Sequence, residues 1–587
     1  MGILSLQDCG CFVGFGKGYS RRGKKHAAVP GMTQAQAWAS PVPRCAQASA
    51  KSSAAGNGEV LLQGQCVRLD VDSELRRADV LTRLRPKVRS KFEVEQLVAA
   101  PGSLPKPSEE VRARGNSLGS AGEMVGKMPP ELLESQGPEG QELRRRLVQG
   151  LTVIFFTAGY PGKRFVFERA SQLGIKSIII DHPDSWSRGL VGEGIADRFI
   201  PIDMSRSSSE IYEEAVQRIG ALEGDPAVGR PDGICTFVEL SVPLVARLAE
   251  RFGLPGPPPA AVDAARSKHA TRVALAAAGL PTPRNCLIRS EEDLVRAAEH
   301  VGFPAVLKPI SGAASLGVKK VTAHDELVGC YREVVAELSS LVVVSGALAQ
   351  SDGSNAGVQA KQVVDLTLLL EQYLDGDEVD IDIVVSEGQW RYAGLTDNGP
   401  TIEPYFNETW GVCPSLLALH KQRELKDFAI RCVTALGFES GVFHVECRYT
   451  STGPQLIEVN ARMGGGPVHE HNLRTWGVDL VEETLLLALG IPARPPVPPV
   501  PYEAIAYYLV PAKSSGSLEA LPDLEGLRRQ PGVVWARPLV KVGDRIVGPA
   551  EGLPTWLCDV FVTRSTAKEA LDFVLKWEAE NPFQIRP

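Results

Sequence analysis

From Leu151 onward the chain alternates short apolar runs with amphipathic stretches. Residues 151–157 are a continuous apolar run, and the turn-forming sequence Ala158-Gly159-Tyr160-Pro161-Gly162 follows. A helix is predicted to about Leu173, then strands at 177–181, 196–201 and 233–238, with helices at 208–219 and 241–252. Strands buried on both faces and alternating with helices predict an open parallel sheet, Rossmann-like in outline. No G-x-G-x-x-G follows its first strand, so this unit reads as one wall of a cleft and not as a dinucleotide site.

The periodicity then changes. One helix is predicted over 261–278, closed by Gly279, and another over 290–301 with Ser290 as N-cap. Strands are predicted at 303–309, 366–374 and 378–385, and a Gly/Ser/Ala-rich stretch at 345–357 reads as a flexible insertion. Two runs alternate strictly: Gly441-Val-Phe-His444-Val-Glu446-Cys-Arg448 and Gln455-Leu-Ile-Glu458-Val-Asn460-Ala-Arg462, joined by a turn at 451–454. Short strands at 504–510, 533–539 and 558–563 with a helix at 567–578 complete an α+β segment. The expected organisation is therefore a multidomain α/β and α+β chain. A largely disordered segment (1–147) precedes a Rossmann-like domain (148–257), a second α/β domain (258–495) and a small C-terminal α+β cap (496–587).

Charge refines this picture. Residues 1–150 carry 22 Lys and Arg against 15 Asp and Glu, whereas the remainder carries 41 against 55. A net-acidic body offers no electrostatic footprint for nucleic acid. No run of eighteen apolar residues appears, so no membrane partner is expected. The eleven cysteines are scattered, which points to reduced thiols. The first residues lack the charged segment of a secretory signal, and Leu6 stands where a myristoylation site wants Ser or Thr, so a cytoplasmic location is expected. Oligomeric state is left open, a homo-oligomer included.

Three groups of residues carry candidate chemistry. The strand ending at Lys308 runs into Ser311-Gly312-Ala313-Ala314-Ser315-Leu316-Gly317-Val318, where small residues allow backbone N–H groups to approach phosphate oxygens and the lysine supplies a point charge. A plain hairpin turn has the same composition. Glu371-Gln372-Tyr373-Leu374 ends a buried strand, and Glu378 follows the turn at 375–377, an arrangement suited to an adenine slot and to ribose hydroxyls, or to an ordinary acidic hairpin. The two alternating strands are the most informative. Period two puts His444, Glu446 and Arg448 on one face, and likewise Glu458, Asn460 and Arg462. Two carboxylates and an amide oxygen make an all-oxygen set suited to Mg²⁺ or Mn²⁺. His469 and His471 read as helix-start polar residues in preference to metal ligands.

These residues in this order resemble the ATP-grasp superfamily: Lys268 in Ser-Lys-His-Ala-Thr-Arg, Val306-Leu-Lys308-Pro, the small-residue loop, Glu371-Gln-Tyr-Leu374, and Glu446 with Glu458-Val-Asn460-Ala-Arg462. The resemblance spans about residues 151–491. It implies ATP as cosubstrate, with Lys268, Lys308, Ser311, Gly312 and Ser315 at its phosphates and Glu371, Leu374 and Glu378 at adenine and ribose. It also implies two Mg²⁺ or Mn²⁺ ions on Glu446, Glu458 and Asn460, and Arg462 where an acyl phosphate reacts. A finer likeness, carried by Arg462-Met-Gly-Gly-Gly-Pro467-Val-His-Glu-His471-Asn, is to a vertebrate dipeptide-forming branch of that superfamily. It implies β-alanine, or γ-aminobutyrate, and L-histidine as substrates. Residues 1 to about 145 depart from that pattern. Another ATP-grasp ligase (a dipeptide ligase or a carboxylase subunit) or a non-catalytic ATP-binding regulatory protein stays open at this stage.

Overall fold

The computed structural model describes residues 128–225, 228–310, 315–340 and 367–587, together with the backbone of five short strands between Glu59 and Gln359. The disorder expected for residues 1–127 and, apart from the strand Ala347–Gln350, the flexibility expected of 345–357 fall outside the described residues; residues 128–147, also expected to be disordered, instead carry the helices Pro130–Leu133 and Pro138–Val148. A separate unit formed by Lys17–Leu97 contributes an antiparallel hairpin, Glu59–Leu62 with Gln65–Arg68. Everything below belongs to the other unit.

Its first sheet is parallel. β1 (Thr152–Phe156), β2 (Lys176–Asp181), β3 (Arg198–Pro201) and β4 (Gly233–Cys235) lie in the order β3-β2-β1-β4. Helices α1 (Arg164–Gln172), α2 (Ser208–Gly220) and α3 (Val242–Phe252) link and cover them. Both faces of the sheet are covered, which is why β1 is buried along its whole length. A capping box formed by Ser207 and Glu210 starts α2, and Gly253 closes α3 in the left-handed conformation. The strand order reverses beside β1, so a crevice opens between the carboxyl ends of β1 and β4.

The helix expected over 261–278 is two helices, α4 (Pro259–Arg266) and α5 (Lys268–Ala277). Ser267 is extended and breaks the run; its Oγ accepts from the Ala270 N–H at 3.2 Å, and the Lys268 N–H donates to the Ile310 carbonyl at 2.8 Å instead of continuing α4. The break delivers Lys268 to the first turn of α5, facing the cleft. The second predicted helix also differs at its start. Ser290 makes no side-chain cap; a 3₁₀ turn intervenes, and Asp293 Oδ2 accepts from the Arg289 N–H at 2.9 Å before α6 (Leu294–Val301) begins.

Two antiparallel sheets face each other. The smaller has the order β5-β8-β6-β7, from β5 (Asn285–Ile288), β6 (Ala305–Pro309), β7 (Lys319–Val321) and β8 (Leu368–Gln372). The larger has eight strands. It is built from β9 (Asp377–Ser386), β10 (Gln389–Asn398), β11 (Trp410–Cys413), β12 (Gly441–Thr450), β13 (Gly453–Asn460), β14 (Ala504–Pro511), β15 (Val533–Pro538) and β16 (Trp556–Arg564). Their order is β13-β12-β9-β10-β11-β14-β16-β15. The sheet thus runs without interruption across residue 496, where the C-terminal α+β segment was expected to begin. Pairing of Trp410–Cys413 with residues of β14 makes that junction. One face of β9, β12 and β13 is apolar (Ile381, Ile383, Phe443, Val445, Leu456, Val459) and packs on α4 and on a long helix, Leu419–Ala435. The opposite face is polar and looks into the cleft.

Candidate active site

The turn between β12 and β13 is only Ser451–Thr452; it sets the register as far as Cys447 opposite Leu456, and a bulge then shifts it by one residue. Glu446 lies opposite Glu458 and His444 opposite Asn460; on its other side, β12 pairs Arg448 with Glu378, Glu446 with Asp380, and His444 with Asp382. Three polar rows therefore cross the sheet. A bulge after Glu446 leaves Ile457 as the extra residue, with its carbonyl accepting from Arg272 Nη2 at 2.7 Å.

In the first row Arg448 and Glu378 form an ion pair at 2.7 Å, and Arg448 Nη1 donates to the Leu374 carbonyl at 3.1 Å. The second row brings together the carboxylates of Asp380, Glu446 and Glu458. Burial and the charges of Glu458, Asp380, Glu408 and Glu378 hold the Glu446 carboxyl well above the usual range. Burial acts on Glu458 in the same sense, but Lys268 Nζ at 2.5 Å, the Asn460 amide and Lys308 overcome it and bring Glu458 down to about 2. In the third row His444 Nδ1 lies 2.8 Å from Asp382 Oδ1, and Asp382 Oδ2 accepts from Asn472 Nδ2 at 2.7 Å. Burial opposes charge on His444, yet Asp380 and Asp382 raise its pKa to about 9.

The cleft between the two sheets has a volume of about 910 Å³ including its mouth, and Lys268, Lys308, Ser315, Leu374, Glu378, Glu408, Glu446 and Glu458 line it. Ser315 takes a left-handed φ of 54° and donates through Oγ to the Phe406 carbonyl at 3.3 Å, tying the end of the small-residue loop to the opposite wall. Ser311 and Gly312 lie outside the described residues. Glu371, expected at adenine and ribose, is among the residues that line the cleft. Its carboxylate is buried on Arg272 (2.8 and 3.1 Å) and on Lys308, and its backbone is engaged in the β8 ladder on both sides. Gln372, Tyr373 and Leu374 line the cleft beyond it. Of the loop residues near the cleft, Glu408 lines it, whereas Trp410 packs against the C-terminal core and Tyr405 stacks under Lys319. His469 and His471 lie on the helix Val468–Trp476; His471 is fully buried, with Nε2 3.4 Å from Asp382 Oδ2, and His469 stacks on Phe165.

Several residues that hold the site were not singled out from sequence. Arg272 sits one helical turn after Lys268 and fixes Glu371, which in turn positions Lys308. Replacing Arg272 by Met should destabilise the protein by about 2–3 kcal/mol, because charge-assisted hydrogen bonds are lost while Lys308 remains as a partner for Glu371. Urea unfolding followed by circular dichroism reads this directly; an unchanged midpoint would refute it. Arg462, at the end of β13, directs Nε to Glu239 at 2.7 Å and Nη2 to Asn460 Oδ1 at 3.3 Å. Arg266 donates to the Glu239 carbonyl at 2.6 Å. Lys163 is half-buried and donates to the Phe237 carbonyl; burial and the charge of Arg462 lower its ammonium to about 7, with Glu239 opposing them.

Among the described residues no group of three or more His, Cys, Asp or Glu is arranged to hold a metal ion alone. The oxygen donors of Glu446 and Glu458 nevertheless fit a hard divalent cation that completes its shell with water and phosphate oxygens, and the raised Glu446 shows how much negative charge the site concentrates. Asn460 is less direct: its Nδ2 faces Glu458 and Glu446 at 3.2 and 3.5 Å, and its oxygen faces Arg462.

Known proteins resemble this chain. Residues 167–256 match the ATP-grasp N-terminal domain and residues 301–470 the ATP-grasp domain. The chain is 33% identical to Carnosine synthase 1 of Gallus gallus over 416 residues, covering 69% of this chain and 42% of that protein. It is 30% identical to Carnosine synthase 1 of Homo sapiens over 366 residues, covering 61% and 42%. The chain thus spans well under half the length of these relatives. Alanine–anticapsin ligase of Bacillus subtilis is 26% identical over 283 residues, covering 46% of this chain and 56% of the ligase. In fold, an L-amino acid ligase from Bacillus licheniformis superposes with a TM-score of 0.59 at 22% identity, covering 74% of this chain and 99% of that one. Matched domains, shared fold and sequence identity together place the chain in the ATP-grasp superfamily, as a carnosine synthase-like member.

Proposed function

We propose that the protein is an ATP-dependent carboxylate–amine ligase that joins β-alanine to L-histidine, forming carnosine with release of ADP and phosphate. The observation that carries this reading is the row of Asp380, Glu446 and Glu458, which faces Lys268 and Lys308 across one cleft and has Arg462 beside it. Gln372, Tyr373 and Leu374 form the adenine wall, and Glu378, held by Arg448, offers its carboxylate to ribose hydroxyls. Lys268 and Lys308 meet the phosphates, with Ser315 beside them. Divalent ions held by Glu446 and Glu458, with Asn460 beside them, would supply charge neutralisation at the phosphates.

The reaction proceeds in two displacements. A carboxylate oxygen of β-alanine attacks the γ-phosphorus of ATP, and the bond to the β-phosphate oxygen breaks, giving an acyl phosphate and ADP. The α-amine of histidine then attacks the acyl carbon and phosphate leaves. Arg462 stabilises the negative charge that gathers on the carbonyl oxygen in this second step. A second reading, ligation of a different amino-acid pair, draws on the identity to alanine–anticapsin ligase and the L-amino acid ligase fold. ADP release measured against a panel of amino-acid pairs tests both. β-Alanine with histidine should give the highest rate, and γ-aminobutyrate, longer by one methylene, should differ by about 1–3 kcal/mol in kcat/KM. No stimulation by β-alanine and histidine would sink the substrate assignment, and no stimulation by any pair would sink the ligase.

A further inference from the structure

Three cationic side chains converge on Glu239, at the crevice between the carboxyl ends of β1 and β4. Arg462 approaches from the end of β13 at 2.7 Å, Arg266 from α4 at 3.7 Å, and Lys163 from the loop after β1, near enough for its ammonium to respond to both Arg462 and Glu239. Glu239 offsets only one of the two guanidinium charges, so the crevice keeps an excess of positive charge even when the Lys163 amine is neutral, and an anion bound there would draw a proton onto Lys163. The loop is shaped to bring Lys163 there. Gly159 has φ +70°, and a Cβ on it would come within 2.9 Å of Val238 and 3.3 Å of the Lys163 stem. Lys163 then reaches across the crevice to donate to the Phe237 carbonyl, which leaves further N–H donors on its ammonium for a ligand.

The site's groups form a chain of contacts. Glu458 and Asn460 are in contact at 3.2 Å, Asn460 and Arg462 at 3.3 Å, and Arg462 and Glu239 at 2.7 Å; Lys163 joins on the Glu239 side, where it donates to the Phe237 carbonyl two residues earlier. With the reacting carbonyl at Arg462, the attacking amine must lie next to it. In an α-amino acid the amine nitrogen and the carboxylate carbon are only about 2.5 Å apart. The carboxylate of the attacking amino acid therefore stays close to Arg462, within the reach of the cations gathered at the crevice. We propose that the β1–β4 crevice is the subsite for the α-carboxylate of the amine-donating amino acid, bound by Lys163 together with Arg462. This rests on the ligase reading above and extends it: the enzyme selects amino acids over simple amines through a residue of the Rossmann-like domain.

The test is calorimetric titration of the full chain, holding saturating ADP and MgCl₂, with each of the twenty L-amino acids and its α-amide. At least one amino acid should bind about 10- to 100-fold more tightly than its amide, the range of a charge-assisted contact. Lys163→Met should bring that ratio close to one with ADP affinity unchanged, and Lys163→Arg should keep most of it. A residue that merely braces the loop would weaken acid and amide alike, so a ratio unaltered in Lys163→Met overturns the proposal. So does a wild-type protein that binds every amide as well as its acid. Dipeptide formation measured in parallel separates the two claims. Acid-over-amide selection without a product from any pair overturns the ligase and leaves the subsite standing; ligation of amides as readily as acids does the reverse.

Discussion

Glu458→Gln should lower the rate of ADP release by roughly 10³-fold, since a divalent ion at transferring phosphates supplies several kcal/mol of charge stabilisation and the amide replaces a charged oxygen ligand by a weak one. Glu446→Gln should have the same kinetic effect. Their stabilities should diverge, which makes the pair informative. Glu458 is anionic and paired with Lys268 at 2.5 Å, so its amide loses a charge-assisted contact and about 1–3 kcal/mol of stability. Glu446 is crowded by Glu458, Asp380, Glu408 and Glu378, and its amide imitates the protonated form this crowding favours, so Tm should hold or rise. Steady-state ADP release with and without chelator, alongside thermal melts of the metal-free proteins, tests both statements. Wild-type turnover in either variant, or loss of all activity only in the variant that also melts early, would remove the metal assignment.

Arg462→Met should cost about 10²–10³ in kcat, the usual effect of deleting one donor to a developing oxyanion. ATP binding should change little, because Arg462 does not line the nucleotide cleft. The loss should fall on the second displacement. Hydroxylamine trapping of the acyl phosphate should proceed in the variant while dipeptide formation stalls. If trapping and dipeptide formation fall together, Arg462 acts earlier, in binding the carboxylic acid, and its placement at the acyl centre is wrong. Two contacts make the prediction specific. Glu239 holds Nε from the Rossmann-like domain, and Asn460 receives Nη2 from the metal side, so the guanidinium is fixed between the two halves of the site.

The helix over 261–278 shows where a local reading fails. Apolar periodicity continues through Ser267, and nothing nearby in sequence forces a break; the reason lies in the Ile310 carbonyl, which captures the Lys268 N–H. Glu371 lines the cleft beside Gln372 and Tyr373, but the partner of its carboxylate is set by Arg272, 99 residues earlier in the chain.

Periodicity marked out the two strands of the metal-side hairpin and the parallel sheet, the latter through apolar runs long enough to be buried on both faces. Alternation of period two is a property of the extended backbone, so Glu446 had to share a face with His444, and Glu458 with Asn460. The tight turn alone would have set Glu446 opposite Ile457; the bulge there, which no periodicity announces, brings the two carboxylates onto one face. Which charges meet was settled by packing. Arg272 with Glu371, Arg448 with Glu378, and Lys163, Arg266 and Arg462 around Glu239 are brought together from separate elements. Ion pairs impose no periodicity on the chain, and each of these residues, read locally, is an ordinary surface charge until packing removes it from water.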